Sequence, residues 1–600
     1  MWFKSETQKK TNPSLFLSPV TSTESEAKEE VGNLDSTLSG RKEPQGEEAE
    51  NEAEVVKRSG FSPLLSLPVE ILYQIIELVY YNDDMTSISA NLERFANTFP
   101  PLLKKINEVS LRFLYKYAIF NRPQSFDAFW HTLVKNPELG RFVEFMDFQI
   151  FTSIGLGRTG RMNQEIQMLT AETILKSLCM TPNLIEFLGS ENIQDDLDQN
   201  VLFYLFNNLK RIQALDFCGA SSLNFSQAFG KLQILPNQKE ETIGGEENVE
   251  MIGLSNLFKI SFHDCLTLSP DVFVKLLPHF TSLRRLDLTH TSITSTTLNS
   301  CLPHSARLSH LSLARCSRLT TKELINFLTL HPAVSNNLLT WLSLQCDVNT
   351  ESVFKETYLY YTLNNLKANG LLYLNLGGAP VNARIMKLIK ERFPHLESLS
   401  IAHSLLEVND INEYLENNYS IKFLDIYGCR QIPKSSVLAI LRYNYGSSLC
   451  AVETDYNIAY EATNGTYVEV RPFPTSSVNL LNSESYEPEL WKFYDNEGRR
   501  SWIYKITADH PDYQDTLKAS FDYNTNLTYY DMETGEKIMR KEKKPDFLKY
   551  ASRKINCSIG YFNLNVAKKK KYLQNEICEE AWPPEFSQKG IYNYYSLNIK

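Results

Sequence analysis

The chain has 600 residues, a formal net charge of −10 and 42% apolar residues. That length exceeds one compact core, the acidic balance argues against general nucleic-acid binding, and the apolar content is ordinary for a folded soluble protein. Apolar runs break well short of the roughly 18 residues a membrane span needs, and the opening MWFKSETQKK lacks an apolar signal core, so neither a membrane span nor secretion is expected.

Residues 1–57 hold twelve acids and seven bases with few large apolar groups. Such a segment cannot bury enough surface to offset its ordering entropy and is expected to be disordered. At Phe61 the character changes. Leu67, Ile71, Leu72, Ile75, Ile76 and Val79 fall on one stripe of a helix. Pro68 suits a first helical position, and Glu70 sits near the positive end of the helix dipole. NLERFANTF and, after Pro100-Pro101, LLKKINEVSLRFLYKYAIF read as two further helices, giving an all-α three-helix unit over 61–120. Residues 121–180 are expected to connect this unit to a repeat array beginning near 181, with Val143, Met146 and Phe148 as a degenerate first repeat. Gly155-x-Gly157-x-x-Gly160 lacks a surrounding βαβ unit and reads as a surface loop with Arg158 and Arg161 at its tip, not as a dinucleotide site.

From 181 to 445 one grammar recurs: an apolar residue, two others, a second apolar residue, one other, a third. Its clearest instances are Leu283–Leu286–Leu288, Leu308–Leu311–Leu313, Leu339–Leu342–Leu344, Leu371–Leu374–Leu376, Leu396–Leu399–Ile401 and Ile421–Leu424–Ile426. Ile212–Leu215–Phe217 and Leu257–Ile260–Phe262 also fit, and Leu184–Phe187 opens the series. Anchors at 187, 215, 260, 286, 311, 342, 374, 399 and 424 give steps of 28, 45, 26, 25, 31, 32, 25 and 25. A period near 25 with this grammar marks leucine-rich repeats, and stretches such as 271–280, 320–331 and 382–393 carry helical spacing between them. The expected class is therefore α/β: a solenoid with parallel strands on the concave face and helices outside. The long step holds a Gly- and Glu-rich insertion at 237–250, which a solenoid tolerates on its rim. Cys265, Cys316 and Cys429 each stand three places after a third apolar residue and read as reduced core cysteines, which places the chain in the cytoplasm or nucleus. After about 445 the grammar stops, and 446–600 is expected to cap the array or add an accessory β-rich module. Arg540-Lys541-Glu542-Lys543-Lys544 and Lys568–Lys571 read as solvated basic runs, with nuclear import as the alternative.

In each repeat strand the residues beside the anchor should face the concave side. That ladder includes Arg285, Asp287, His310, Trp341, Gln345, Tyr373, Asn375, Phe423, Asp425 and Tyr427. Large rings beside Arg and Asp are what binding hot spots use, so this face is the expected contact surface for a protein substrate. The rival reading folds the C-terminal region back over those rings. Dispersed histidines and the lack of clustered ligands point to no catalytic residues, metal or cofactor.

Leu67-Pro68-x-Glu70-Ile71-Leu72-x-x-Ile75, followed by the 114–120 stretch and placed just before a repeat array, resembles the F-box/leucine-rich-repeat family. Phe95-Ala96-Asn97-Thr98-Phe99 stands where many F-boxes carry Cys-x-x-Trp. The resemblance implies a non-catalytic substrate receptor of a cullin-based ubiquitin ligase. Leu67, Pro68, Ile71, Leu72 and Ile75 would dock on a Skp1-type adaptor, and the repeats would hold the substrate. Two other readings stay open. One is a repeat scaffold whose N-terminal helices merely cap the solenoid. The other is a regulator of a small GTPase, for which Arg285 is the only arginine on the ladder.

Overall fold

The computed structural model describes residues 63–80, 88–98, 104–120, 123–148, 169–235, 254–348, 352–433, 435–473, 487–496, 500–506 and 545–557. The expectations for 1–57, the Gly155–Gly160 loop, the 237–250 insertion and both basic runs lie outside these residues. The chain divides into two compact units, one ending at Leu114 and the other beginning at Tyr115.

The first unit is helical: α1 (Pro63–Ser66), α2 (Val69–Tyr80), α3 (Ile88–Thr98) and α4 (Lys104–Leu114). Leu72, Ile76 and Tyr80 recur every four residues along α2 and form its buried seam. Leu92, Phe95, Ile106, Val109 and Phe113 on α3 and α4 are buried as well. The Tyr80 ring stands edge-on to Phe95 at 5.0 Å and tilted against Phe113 at 5.2 Å. Polar bonds fix both ends of α2. The Pro68 carbonyl accepts from the Leu72 N–H, Lys105 Nζ donates to the Leu67 carbonyl at 3.0 Å, and Arg94 Nη2 donates to the last carbonyls at Val79 and Tyr80. Pro68 thus stands at the N-cap, one place before the first helical position. The terminal carbonyls satisfied by Arg94 are those a helix cannot pair internally.

The second unit is a leucine-rich-repeat solenoid built on one sheet. Its parallel strands are β1 (Tyr117–Ile119), β2 (Phe145–Asp147), β3 (Glu186–Leu188), β4 (Ala214–Asp216), β5 (Lys259–Ser261), β6 (Arg285–Asp287), β7 (His310–Ser312), β8 (Trp341–Ser343), β9 (Tyr373–Asn375), β10 (Ser398–Ser400), β11 (Phe423–Asp425) and β12 (Ala451–Thr454). Register is set anchor to anchor: Leu286 pairs with Leu311, Leu311 with Leu342, Leu342 with Leu374, Leu374 with Leu399 and Leu399 with Leu424. Helices such as Pro270–Leu276, Thr321–Leu330 and Ala383–Arg392 lie between successive strands. Asn382 caps the last of these by accepting from the Ile385 N–H at 3.0 Å.

The array is longer than its grammar suggests at both ends. Tyr117–Ile119, expected within the 61–120 helical unit, is strand β1 and pairs with Phe145–Asp147. Ala118 supplies its anchor, too small to register as one in the sequence. At the other end, residues expected to lie beyond the repeats form β12, which pairs in parallel with β11 through Leu424 and Val452. Thr454, buried, replaces the third apolar residue there and breaks the pattern. The array is then closed by β13 (Tyr467–Val470), β14 (Glu489–Asp495) and β15 (Ser501–Ile506), with β15 antiparallel to β12. This meander covers the edge that β12 would otherwise leave unpaired.

The cysteine positions have a direct physical account. Each thiol donates back to the strand before it: Cys265 to Phe217 O at 3.2 Å, Cys316 to Leu288 O at 3.0 Å and Cys429 to Ile401 O at 3.4 Å. The residue just before each of these thiols, four places after its anchor, takes a left-handed conformation, as at Asp264, Arg315 and Gly428. Gly378 occupies the same place after Leu374, with φ 75°, and a Cβ there would stand 2.7 Å from the Cys346 carbonyl oxygen. Gly378→Ala is therefore expected to lower stability by more than the roughly 1–2 kcal/mol of a left-handed Cβ alone. Gly370→Ala, whose Cβ meets nothing within 4 Å, should stay within about 0.5 kcal/mol. Urea unfolding of the two variants checks both.

Candidate functional site

The concave ladder is covered by residues 545–557. Phe547 and Leu548 pack with Trp502, Tyr504 and Ala451 at the closing end of the sheet. Tyr550 stacks on Phe423 at 4.1 Å. Arg553 then reaches Asp425 at 2.9 Å and Glu453 at 3.1 Å. Lys554 pairs with Asp216, both fully buried. The Ile555 N–H donates to Asp287 at 3.0 Å, and Arg285 donates to the Asn556 carbonyl. Asp425 and Asp216 lie on β11 and β4, seven strand spacings apart, or about 34 Å in a flat sheet. Adjacent residues with Cα atoms about 3.8 Å apart reach both only because the sheet curves strongly.

One position per strand carries most of this chemistry, the residue directly after the anchor. Asp216, Asp287 and Asp425 each use Oδ1 to accept a backbone N–H two residues on, from Cys218 at 2.9 Å, Thr289 at 3.0 Å and Tyr427 at 3.0 Å. Each turns Oδ2 toward the covering segment. Glu453, the equivalent residue on β12, is held by a bidentate pair with Arg500 at 2.7 and 2.5 Å. Arg500 also donates to the Ala551 carbonyl at 2.7 Å. Charge-assisted, forked bonds of this kind fix position strongly.

Burial and charge compete at these groups. Burial alone would depress the Lys554 and Arg553 pKa values, but Asp216 in the first case and Glu453 with Asp425 in the second hold both cations above their ordinary values. Burial would raise the Asp287 carboxyl, yet His263 and Lys554 bring it below the usual range. His263 shows the converse: burial works against its proton, and Asp287 and Asp264 outweigh burial, so its pKa is raised. His310, buried and then further opposed by Arg285, is held well below its ordinary value.

The helical unit shows the opposite arrangement. On α2, Leu72 is 1% exposed, whereas Ile71 is 40%, Ile75 36% and Leu78 69% exposed. Val69, Val79 and Leu64 on α1 are exposed as well. One short helix thus carries two apolar faces, one turned inward and one to solvent.

No family model matches the chain. The F-box protein YLR352W of Saccharomyces cerevisiae is 31% identical over 581 residues, which cover 87% of this chain and 69% of that one. The chain belongs to the F-box protein family. Two solved structures are also similar. The Rad7 and Elc1 complex in yeast shares 16% identity at a TM-score of 0.35, over 61% of this chain and 89% of that one. LegL7 from Legionella pneumophila, a leucine-rich-repeat protein, shares 13% at 0.28, over 47% and 87%. Scores this low carry no inference.

Within the helical unit, Ile71, Ile75 and Pro68 lie on the exposed face, Leu67 is half-buried, and Leu72 belongs to the internal core. The expectation that Leu72 docks on the adaptor is thereby corrected. It turns inward because it lies four residues before Ile76 and faces the α3 and α4 core. On the ladder, Arg285, Asp287, His310, Trp341, Tyr373, Asn375 and Asp425 are buried, so the expectation of an open, solvated face does not hold. The cover comes from the C-terminal region itself. Trp341 and Tyr373 stack at 4.4 Å and pack against Ile555 and Cys557. Gln345 is half-buried beside Asn375, and Tyr427 stays exposed, edge-on to His403. The residues missed in the sequence are Asp216, Glu453, Arg500, Arg553 and Lys554. Four acids at equivalent ladder positions, 216, 287, 425 and 453, were a readable demand for cations. Among the described residues, no group of three or more His, Cys, Asp or Glu is placed to hold a metal ion, and no helix is long and apolar enough to cross a membrane.

This geometry can be probed at the buried pair and at the two histidines. Lys554→Ala leaves Asp216 without its buried cation, which should cost roughly 3–5 kcal/mol of segment docking. Hydrogen exchange at Ile555, whose N–H is held by Asp287, should then quicken by about two to four orders of magnitude. Asp216→Asn with Lys554→Met should restore most of the protection. The two histidines give opposite pH slopes. His310 stays neutral in the fold while the unfolded chain protonates near about 6.5, so stability should fall as pH drops below that. His263 holds its proton in the fold, so its contribution is complete below about 6.5 and is lost as pH rises through its raised pKa. His310→Asn should flatten the acid limb and His263→Asn the alkaline limb of a denaturation-versus-pH curve.

Proposed function

We propose that this F-box protein is the substrate-recognition subunit of a Skp1–cullin–F-box ubiquitin ligase. The exposed apolar face of α2 docks on a Skp1-type adaptor and through it a cullin, and the solenoid presents a protein substrate. The protein performs no chemistry. It raises the local concentration of a substrate lysine near the charged enzyme. The observation that carries this reading is Ile71, Ile75 and Leu78 standing in solvent on a helix that already has a buried face in Leu72, Ile76 and Tyr80. A helix needs one apolar face to hold its own unit together. A second one, contiguous and exposed, marks an interaction surface. The scaffold reading, in which the helices only cap the array, would instead have those groups buried within the chain. The GTPase-regulator reading loses its candidate, because Arg285 is buried against the Asn556 carbonyl. Nine free cysteines among the described residues, six of them buried, support a reducing compartment, the cytoplasm or nucleus.

Ile71→Asp with Ile75→Asp should abolish co-purification of a Skp1-type adaptor and cullin while far-UV circular dichroism stays unchanged. Leu72→Ala should act differently, destabilising the helical unit by about 2–5 kcal/mol as a core truncation. Undiminished co-purification by the double variant would rule the reading out.

A further inference from the structure

We propose that the concave face is a binding site for an extended basic peptide of the class aromatic–x–x–Arg–Lys–aliphatic, that residues 550–557 occupy it in cis, and that a substrate segment of the same chemistry takes their place. This identifies a substrate class for the receptor role above and rests on that reading for calling the ligand a substrate.

The turns of the repeats do not need the charge they carry there. The turn after each strand requires only one acceptor at the residue following the anchor. Asn375 does this with Oδ1 to the Gly377 N–H at 3.0 Å, and Ser261 with its hydroxyl to His263 at 3.3 Å. Asp216, Asp287 and Asp425 do the same work with one oxygen and turn the second, Oδ2, toward the covering segment, although His263 also bonds Asp287 Oδ2 at 3.2 Å and Ser400 donates to Asp425 Oδ2 at 2.6 Å. A buried carboxylate that the fold could replace with Asn or Ser is unfavourable unless a ligand neutralises it. Asp425 and Asp216 are neutralised by Arg553 and Lys554, adjacent residues reaching strands β11 and β4 of the curved sheet, while Asp287 pairs with His263 and takes only the Ile555 N–H from the segment. The stacked faces of Trp341 and Tyr373 form the apolar wall for the aliphatic residue, and Phe423 receives the aromatic.

The way the segment is held also fits a ligand. Residues 551–557 form no strand or helix. They are held by side-chain ion pairs, single backbone bonds and the apolar contacts of Ala551, Ile555 and Cys557. Desolvated ion pairs add little net stability but discriminate strongly between partners. A tethered ligand acts at an effective concentration on the order of millimolar, so a substrate in trans gains the site only when it outcompetes the segment or the segment is released.

The test uses the full chain carrying Arg553→Ser and Lys554→Ser, and a fluorescein-labelled synthetic peptide of residues 545–557, read by fluorescence anisotropy. The variant should keep the amide protection of its repeat strands and bind the peptide saturably. The unaltered chain should bind it at least about tenfold more weakly, because its own segment holds the site. Adding Asp287→Asn and Asp425→Asn, which keep the turn acceptor as Asn375 does, should weaken binding by about thirtyfold or more. Absence of saturable binding, equal binding by the two chains or indifference to the Asn changes would overturn the proposal. So would cooperative loss of the whole fold in the Ser variant, which would make the segment a fixed structural element. No adaptor enters the assay, so failure here leaves docking by Ile71 and Ile75 to be judged separately.

Discussion

Register between neighbouring anchors is the constraint on which the solenoid depends. Most repeat strands are only three residues long, and a strand of that length cannot hold an edge alone. Each is stable because its anchor pairs with the anchors on either side and its apolar residues meet the helices behind. Once register is fixed, every residue directly after an anchor falls on one line across the concave face. A row of carboxylates then becomes a single electrostatic feature, although its members are spread from Asp216 to Glu453 in sequence.

That row explains why the C-terminal segment lies where it does. Asp216, Asp287, Asp425 and Glu453 are answered by Lys554, the Ile555 N–H, Arg553 and Arg500. The curvature of the sheet lets two adjacent cations serve both arms. The same curvature brings Trp341 and Tyr373 face to face with Ile555 and Cys557. The face that reads as an open contact surface strand by strand is an enclosed polar site in the folded chain, while the exposed apolar surface on α2 lies in the other unit.

Much of the solenoid was legible because its signal is periodic. Anchors from 187 to 424 repeat at steps of 25 to 32 residues apart from the one step of 45 that holds the insertion, and each became a strand. The grammar failed where a small or polar residue took an apolar place, as Ala118 did in β1 and Thr454 in β12. The helix α2 was legible as a helix, but its two faces were not separable. Val69, Ile71, Leu72, Ile75, Ile76, Leu78 and Val79 make it apolar nearly all round, and only contact with residues such as Phe95 and Phe113 decides which face is core. Burial of the ladder was beyond local reasoning. The covering segment is irregular and 338 residues from one of its partners, Asp216, so no spacing rule links them.

The claim that α2 presents a docking face is tested most directly by hydroxyl-radical footprinting of the full chain with and without a purified Skp1-type adaptor. Oxidation of Ile71, Ile75 and Leu78 should be strong in the free chain and fall sharply on adding adaptor. Leu72 and Ile76 should stay unreactive throughout, since both are buried in the free unit. Equal oxidation of Ile71, Ile75 and Leu78 in the two conditions, at adaptor concentrations that saturate a known F-box, would contradict the account.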